Sequence, residues 1–238
     1  MIWPLVWKEW QEQRWKMAFG TVMLLFFTGS LIAARLTIGN ENIVLIPFTG
    51  GLVLSLYSAM GVFAPEVSNG TKLFLVSKPG EVRKIFFVKW FAGWMNFAAA
   101  IIVCGLLMML VKLLKPGIAL NEIGIIVRGS IGGLGCATMY YAIILGFAGK
   151  SSGEAKVGLT GLIIFGVIVI HLFVMESIHN GNFEFTNGLI NVVLFINPFM
   201  WLFFIMPFDG FSKIMFLIVQ GLVLVSLMIL SLLKWKRS

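Results

Sequence analysis

Long uncharged runs dominate the chain. They lie at about Met17–Ala34, Ile43–Pro65, Trp90–Val111, Gly129–Gly149, Val157–Met175 and Ile214–Leu233. Crossing a bilayer takes about 20 apolar residues in a helix. A helix also satisfies its own backbone hydrogen bonds in lipid. The pattern therefore predicts six transmembrane helices in an all-α membrane protein. The runs are apolar all round, so periodicity assigns no faces. A seventh uncharged run, Phe185–Phe208, carries Asn187, Asn191, Asn197, Pro198 and Pro207. The Asn197-Pro198 pair in its middle breaks a helix. The run reads as a re-entrant pair of short helices within an extracytoplasmic segment over 176–213. A full seventh span is the alternative.

Charge placement separates the two. With six spans and an inner N-terminus, the inner basic residues fall into four groups: Lys8, Arg14 and Lys16; Lys72, Lys78, Arg83, Lys84 and Lys89; Lys150 and Lys156; and Lys234, Lys236 and Arg237. These are 13 of the 18 Lys and Arg. Seven spans lower the inner count to 11. Basic residues collect on the cytoplasmic side, so six spans with both termini cytoplasmic are expected. Acidic residues split evenly between the two sides. The net charge of +8 then sits on the inner face. A basic balance can also mark nucleic-acid binding. Here it reads as topology and contact with anionic membrane lipid, with no nucleic-acid partner.

Composition agrees. The 238 residues are 59% hydrophobic and 12% charged, and the mean hydropathy is +0.99. A soluble fold of this size has too few charges here to cover its surface. Cys104 and Cys136 lie inside apolar runs and read as small embedded hydrophobes. A single transmembrane domain over 1–238 is expected, and no cleavable signal segment is evident.

Two segments outside the runs are unusual. Residues 1–16 place Trp3, Trp7 and Trp10 at i, i+4 and i+7 among Lys, Glu, Gln and Arg. This predicts an amphipathic helix lying in the membrane interface, either a plain anchor or an elbow beside a moving bundle. The loop over 66–89, EVSNGTKLFLVSKPGEVRKIFFVK, is the longest charged stretch. It still carries Leu73, Phe74, Leu75, Val82, Ile85 and Phe86 around a Pro79-Gly80 turn. Two short helices at the inner face are expected, packed against the membrane, the bundle or another protein.

This loop resembles the signature of the ATP-binding-cassette type-2 permease family, the membrane subunits of bacterial exporters. The matching positions are Glu66, Gly70, Thr71, Leu75, Pro79, Arg83 and Lys89. The layout is similar too: a Trp-rich elbow, six spans and an Asn-Pro break before the last. Gly80 and Glu81, between Pro79 and Arg83, depart from the family pattern. The resemblance implies a coupling helix over Gly70–Val76, including Leu73 and Phe74, that docks into a separate cytoplasmic ATPase subunit. Lys150–Lys156 would form a smaller contact. It also implies pairing with a second permease copy or a related chain in the bacterial cytoplasmic membrane.

Other motifs are weaker. Gly146–Glu154 looks like a phosphate-binding loop, but Ile144 stands where the motif needs its first Gly, and no strand precedes it. The chain therefore has no ATPase of its own, and ATP and magnesium belong to the partner. His171, Glu176 and His179 invite a metal reading, without the spacing of a zinc enzyme. Intramembrane ionisable groups point to function by default, so His171, Glu176, Asn197 and Pro198 are candidate pathway residues. The function expected is a non-enzymatic permease of an ATP-driven exporter. Its uncharged, Phe-rich spans suit a lipid-like or amphipathic substrate. The alternatives are an intramembrane metal-dependent enzyme and a regulatory subunit that transports nothing.

Overall fold

The computed structural model describes residues 3–34, 45–62, 82–113, 120–148, 153–180, 197–198, 201 and 210–237. The described residues form six long helices: α1 (Trp3–Ala34), α2 (Leu45–Val62), α3 (Val82–Leu113), α4 (Leu120–Ala148), α5 (Glu154–Asn180) and α6 (Gly210–Arg237). Four are long and apolar enough to cross a membrane, over Val82–Leu110, Ile123–Phe147, Glu154–His171 and Ile214–Trp235. Thr49–Val62 is a shorter apolar helix. The protein is an all-helical, membrane-embedded chain.

Each helix overlaps one predicted run, but several boundaries move; α4 begins at Leu120, ahead of the expected Gly129. The third begins at Val82, eight residues before the expected Trp90. Arg83, Lys84 and Lys89 do not stop it, because charged residues with straight side chains are good helix formers. The N-terminal segment also differs. An in-plane helix over 1–16, separate from a span starting at Met17, was expected. Instead Trp3–Ala34 is a single helix of 32 residues. Neither Pro nor Gly lies between Trp7 and Phe19 to interrupt the ladder. Pro4 sits in the first turn, where a missing N–H costs little.

The short helix α2 is the centre of the bundle. It packs on α4 and α3, and also touches α1 and α5. Lipid offers no hydrophobic reward for bringing helices together, so close approach at small residues does this work. Gly51 of α2 faces Ile101 of α3 and Ala137 and the Gly133 carbonyl of α4. Gly129 and Gly133, spaced four apart on α4, are both buried, with Gly133 against α2. Gly93 of α3 meets Tyr141 and Val62, and Gly161 of α5 meets Leu56 and Ile144.

Polar side chains tie the same seams. Ser58 Oγ donates to the Gly93 carbonyl at 2.6 Å, and Tyr141 OH to the Trp90 carbonyl at 3.1 Å. Tyr140 OH donates to the Gly161 carbonyl at 2.7 Å. Phe97, Ile101, Cys136, Tyr141 and Ile144 fill the space between. Both cysteines are buried free thiols, as their apolar setting suggested.

Gly93→Ala places a methyl against Tyr141 and Val62, so it is expected to cost about 1–3 kcal/mol of stability. Gly166→Ala, which meets nothing within 4 Å, should leave stability unchanged or slightly raised. Thermal unfolding of the detergent-purified protein, followed by tryptophan fluorescence, compares the two.

Candidate functional site: a buried ion pair and a polar knot beside an apolar cavity

Two polar constellations stand out inside this apolar bundle. The first joins α1 to the start of α3. Lys89 Nζ lies 2.8 Å from both carboxylate oxygens of Glu9. The side chains are 4% and 3% exposed. On α1, Glu9 points inward while Trp7 and Trp10 stack outward, their rings 5.1 Å apart. The helical repeat separates these faces. Lys89 belongs to the expected ATPase-coupling set; its ammonium meets a carboxylate of its own chain, whereas Arg83, six residues earlier, is exposed.

Glu9 was missed by sequence reasoning. It reads as one more solvated charge on an amphipathic helix, and its partner lies 80 residues away. The remaining coupling positions, Glu66, Gly70, Thr71, Leu73, Phe74, Leu75 and Pro79, lie outside the described residues. So does the side chain of Trp3.

The second constellation gathers at Asn197. Asn197 Nδ2 lies 2.7 Å from His171 Nδ1 of α5. An amide nitrogen only donates, so Nδ1 is the acceptor. Gln220 of α6 donates from Nε2 to the Asn197 carbonyl at 3.5 Å. It accepts at Oε1 from the Trp201 indole N–H at 3.2 Å. Asn197 and Pro198 are both buried, in a bend that runs into a short 3-10 turn. Gln220 sits ten residues into α6, about 15 Å from that helix's start. The break in the backbone is therefore deep in the bundle. Non-helical backbone at such depth must be satisfied by protein; Gln220 supplies a partner for the Asn197 carbonyl, and His171 holds the Asn197 side chain.

The structure thus brings together His171, Asn197 and Pro198 from the predicted pathway set. Glu176 lies on the last turns of α5, with its side chain outside the described residues. Gln220 and Trp201 were missed. A lone Gln inside an apolar run is the signal that marks the first. The Trp201 indole packs where a Cβ on Gly135 would stand and meets Phe216 edge-on at 5.1 Å. It forms one wall of a cavity of about 520 Å³ between α3, α4 and α6. That volume lies within the usual range of ligand pockets, about 300–1,000 Å³. Trp90 and Trp94 form the opposite wall.

Among the described residues, no three or more His, Cys, Asp or Glu gather as metal ligands. The chain matches no protein-family model and no curated protein. The class that fold and site define is a helical membrane protein with buried polar locks.

Two substitutions test these locks. Lys89→Met strands a buried carboxylate and is expected to destabilise by about 3–5 kcal/mol. Adding Glu9→Gln should restore most of that loss, giving a large coupling energy in a double-mutant thermal unfolding cycle. Gln220→Leu leaves the Trp201 N–H and the Asn197 carbonyl without this partner, at about 1–3 kcal/mol. Unfolding of that variant in graded denaturing detergent measures it.

Proposed function

We propose that the chain is the membrane permease subunit of an ATP-driven exporter, with ATP hydrolysed by a separate cytoplasmic subunit. Two copies, or this chain and a related one, assemble in the bacterial cytoplasmic membrane around the transport path. Six spans, a re-entrant segment around Asn197-Pro198 and cytoplasmic termini complete the layout.

The loop over 66–89, with its match to the type-2 permease signature at Glu66, Gly70, Thr71, Leu75, Pro79, Arg83 and Lys89, carries this reading. The Glu9–Lys89 pair adds a physical reason. The loop runs directly into α3, and Lys89 clamps α3 to the N-terminal helix. A displacement applied to the loop by a closing ATPase would move α3 and α1 together. Rigid elements sliding at packed interfaces are how such movements spread. The N-terminal helix then serves as part of the lever rather than as a plain anchor.

A lipid-like or amphipathic substrate suits spans with almost no charge. The metalloenzyme alternative would draw on His171, Glu176 and His179. It is disfavoured because His171 Nδ1 already accepts from Asn197. The polar knot acts instead as the fixed end of the re-entrant segment.

The test is recovery of an ATPase. Affinity-tagged full-length chain, purified from native bacterial membranes, is expected to bring down an ATP-hydrolysing subunit. Leu75→Asp should abolish that recovery without lowering the chain's own thermal stability. Absence of ATPase activity in the wild-type eluate, or equal activity in the variant, would overturn the proposal.

A further inference from the structure

We propose that the cavity between α3, α4 and α6 is a binding site for one acyl chain of an anionic phospholipid, whose head group is held by Arg83 and Lys84. The proposal is independent of the exporter reading and needs only a membrane-embedded chain.

The cavity lies on three helices apolar and long enough to span the bilayer. Its floor is buried at Trp90, Met139 and Gln220. Phe91, Ile131 and Leu217 on its rim are 46%, 46% and 45% exposed. Such a cavity opens sideways, toward lipid.

Its lining offers little to a polar solute. Trp94 Nε1 donates to Thr138 Oγ1 at 2.9 Å, and Thr138 donates to the Leu134 carbonyl at 2.7 Å. Trp201 and Gln220 are bonded to each other. The Trp90 indole N–H is buried and has no hydrogen-bond partner among the described residues, but it is sealed off rather than presented. What remains is aromatic and aliphatic surface, which suits a hydrocarbon chain.

Charge names the head group. Lys84 is exposed and lies seven residues before Phe91, two turns along the same face of α3 and about 10 Å away. Phe87, also exposed, lies between them. This face turns away from Glu9, so the carboxylate does not neutralise it. Arg83 is exposed beside Lys84. The basic end of α6 lies at the same level of the bundle, because Trp235 packs on Phe86 with ring centroids 6.1 Å apart. Lys234 there donates to the Gly146 carbonyl at 2.7 Å. A phosphodiester with a negative charge meets cations at this depth, while its chain reaches up past Phe91 into the cavity. Lysine stems lie along apolar surface and keep the ammonium at the interface, which is the geometry required.

The experiment is native mass spectrometry of the delipidated full-length protein in detergent, with dioleoyl phosphatidylglycerol or dioleoyl phosphatidylcholine added. One phosphatidylglycerol should be retained in preference to phosphatidylcholine. The double substitution R83A/K84A should erase that preference, by about fivefold for each cation removed. Gly221→Leu projects a side chain at the cavity from a position whose Cβ meets nothing within 4 Å. It should lower retention of both lipids. Lys156→Ala, at an exposed cation on another helix, should change neither. Equal retention of the two lipids by the wild type would overturn the head-group assignment. Unchanged retention in the Gly221→Leu protein would overturn the cavity.

Discussion

Everything in this bundle depends on how closely α2 can approach α4 and α3. Hydrocarbon surrounds the helices, so burying another leucine gains little. Attraction must come from contacts that lipid cannot match: backbone against backbone, and polar group against polar group. Gly51 against the Gly133 carbonyl provides the first kind, and Gly93 lets the Tyr141 ring reach the backbone of α3. Ser58, Tyr140 and Tyr141, each bonded to a carbonyl of a neighbouring helix, provide the second. Glycine lets the helices close, and the hydroxyls hold them at that distance. The interior this creates is tight at α2 and looser at α3 and α6, where the cavity opens.

The same economy explains the two polar constellations. A buried charge or a broken backbone is tolerated only when its partners are built in. Glu9 and Lys89 neutralise each other at one end of α3. Farther along the bundle, Gln220 bonds the Asn197 carbonyl at the break and His171 holds its side-chain amide. Both arrangements cross-link elements remote in sequence, so they fix which helices are neighbours. Trp201 extends the second lock by filling the notch over Gly135, which makes the break part of the core rather than an excursion from it.

Much of the helical layout was legible from charge-free runs, since hydrocarbon thickness sets a length that sequence must respect. The charged flanks were harder. Arg83 to Lys89 reads as a short helix separate from the span because charge usually ends a span, yet nothing there breaks a helix, and α3 continues through. The join at Lys16-Met17 was misjudged for the same reason: a change from polar to apolar composition was taken for a change of direction. The Asn197-Pro198 break was legible because proline chemistry is local. Its partners were not, since His171 is 26 residues away and Gln220 is 23. Pair partners across a bundle follow from helix rotation, which an all-round apolar sequence does not encode in its periodicity.

The Glu9–Lys89 pair also bears on how the chain is made. Synthesis runs from the N-terminus, so Glu9 leaves the ribosome 80 residues before its partner. Through that interval α1 carries a carboxylate whose partner in the folded bundle has not yet been made. A lone charge stays near water, so the first turns of α1 are held at the membrane surface while α2 is inserted. Only when the base of α3 arrives can those turns settle against the bundle. The pair thus gives assembly a fixed order, in which the beginning of the chain is among the last parts to be locked in place.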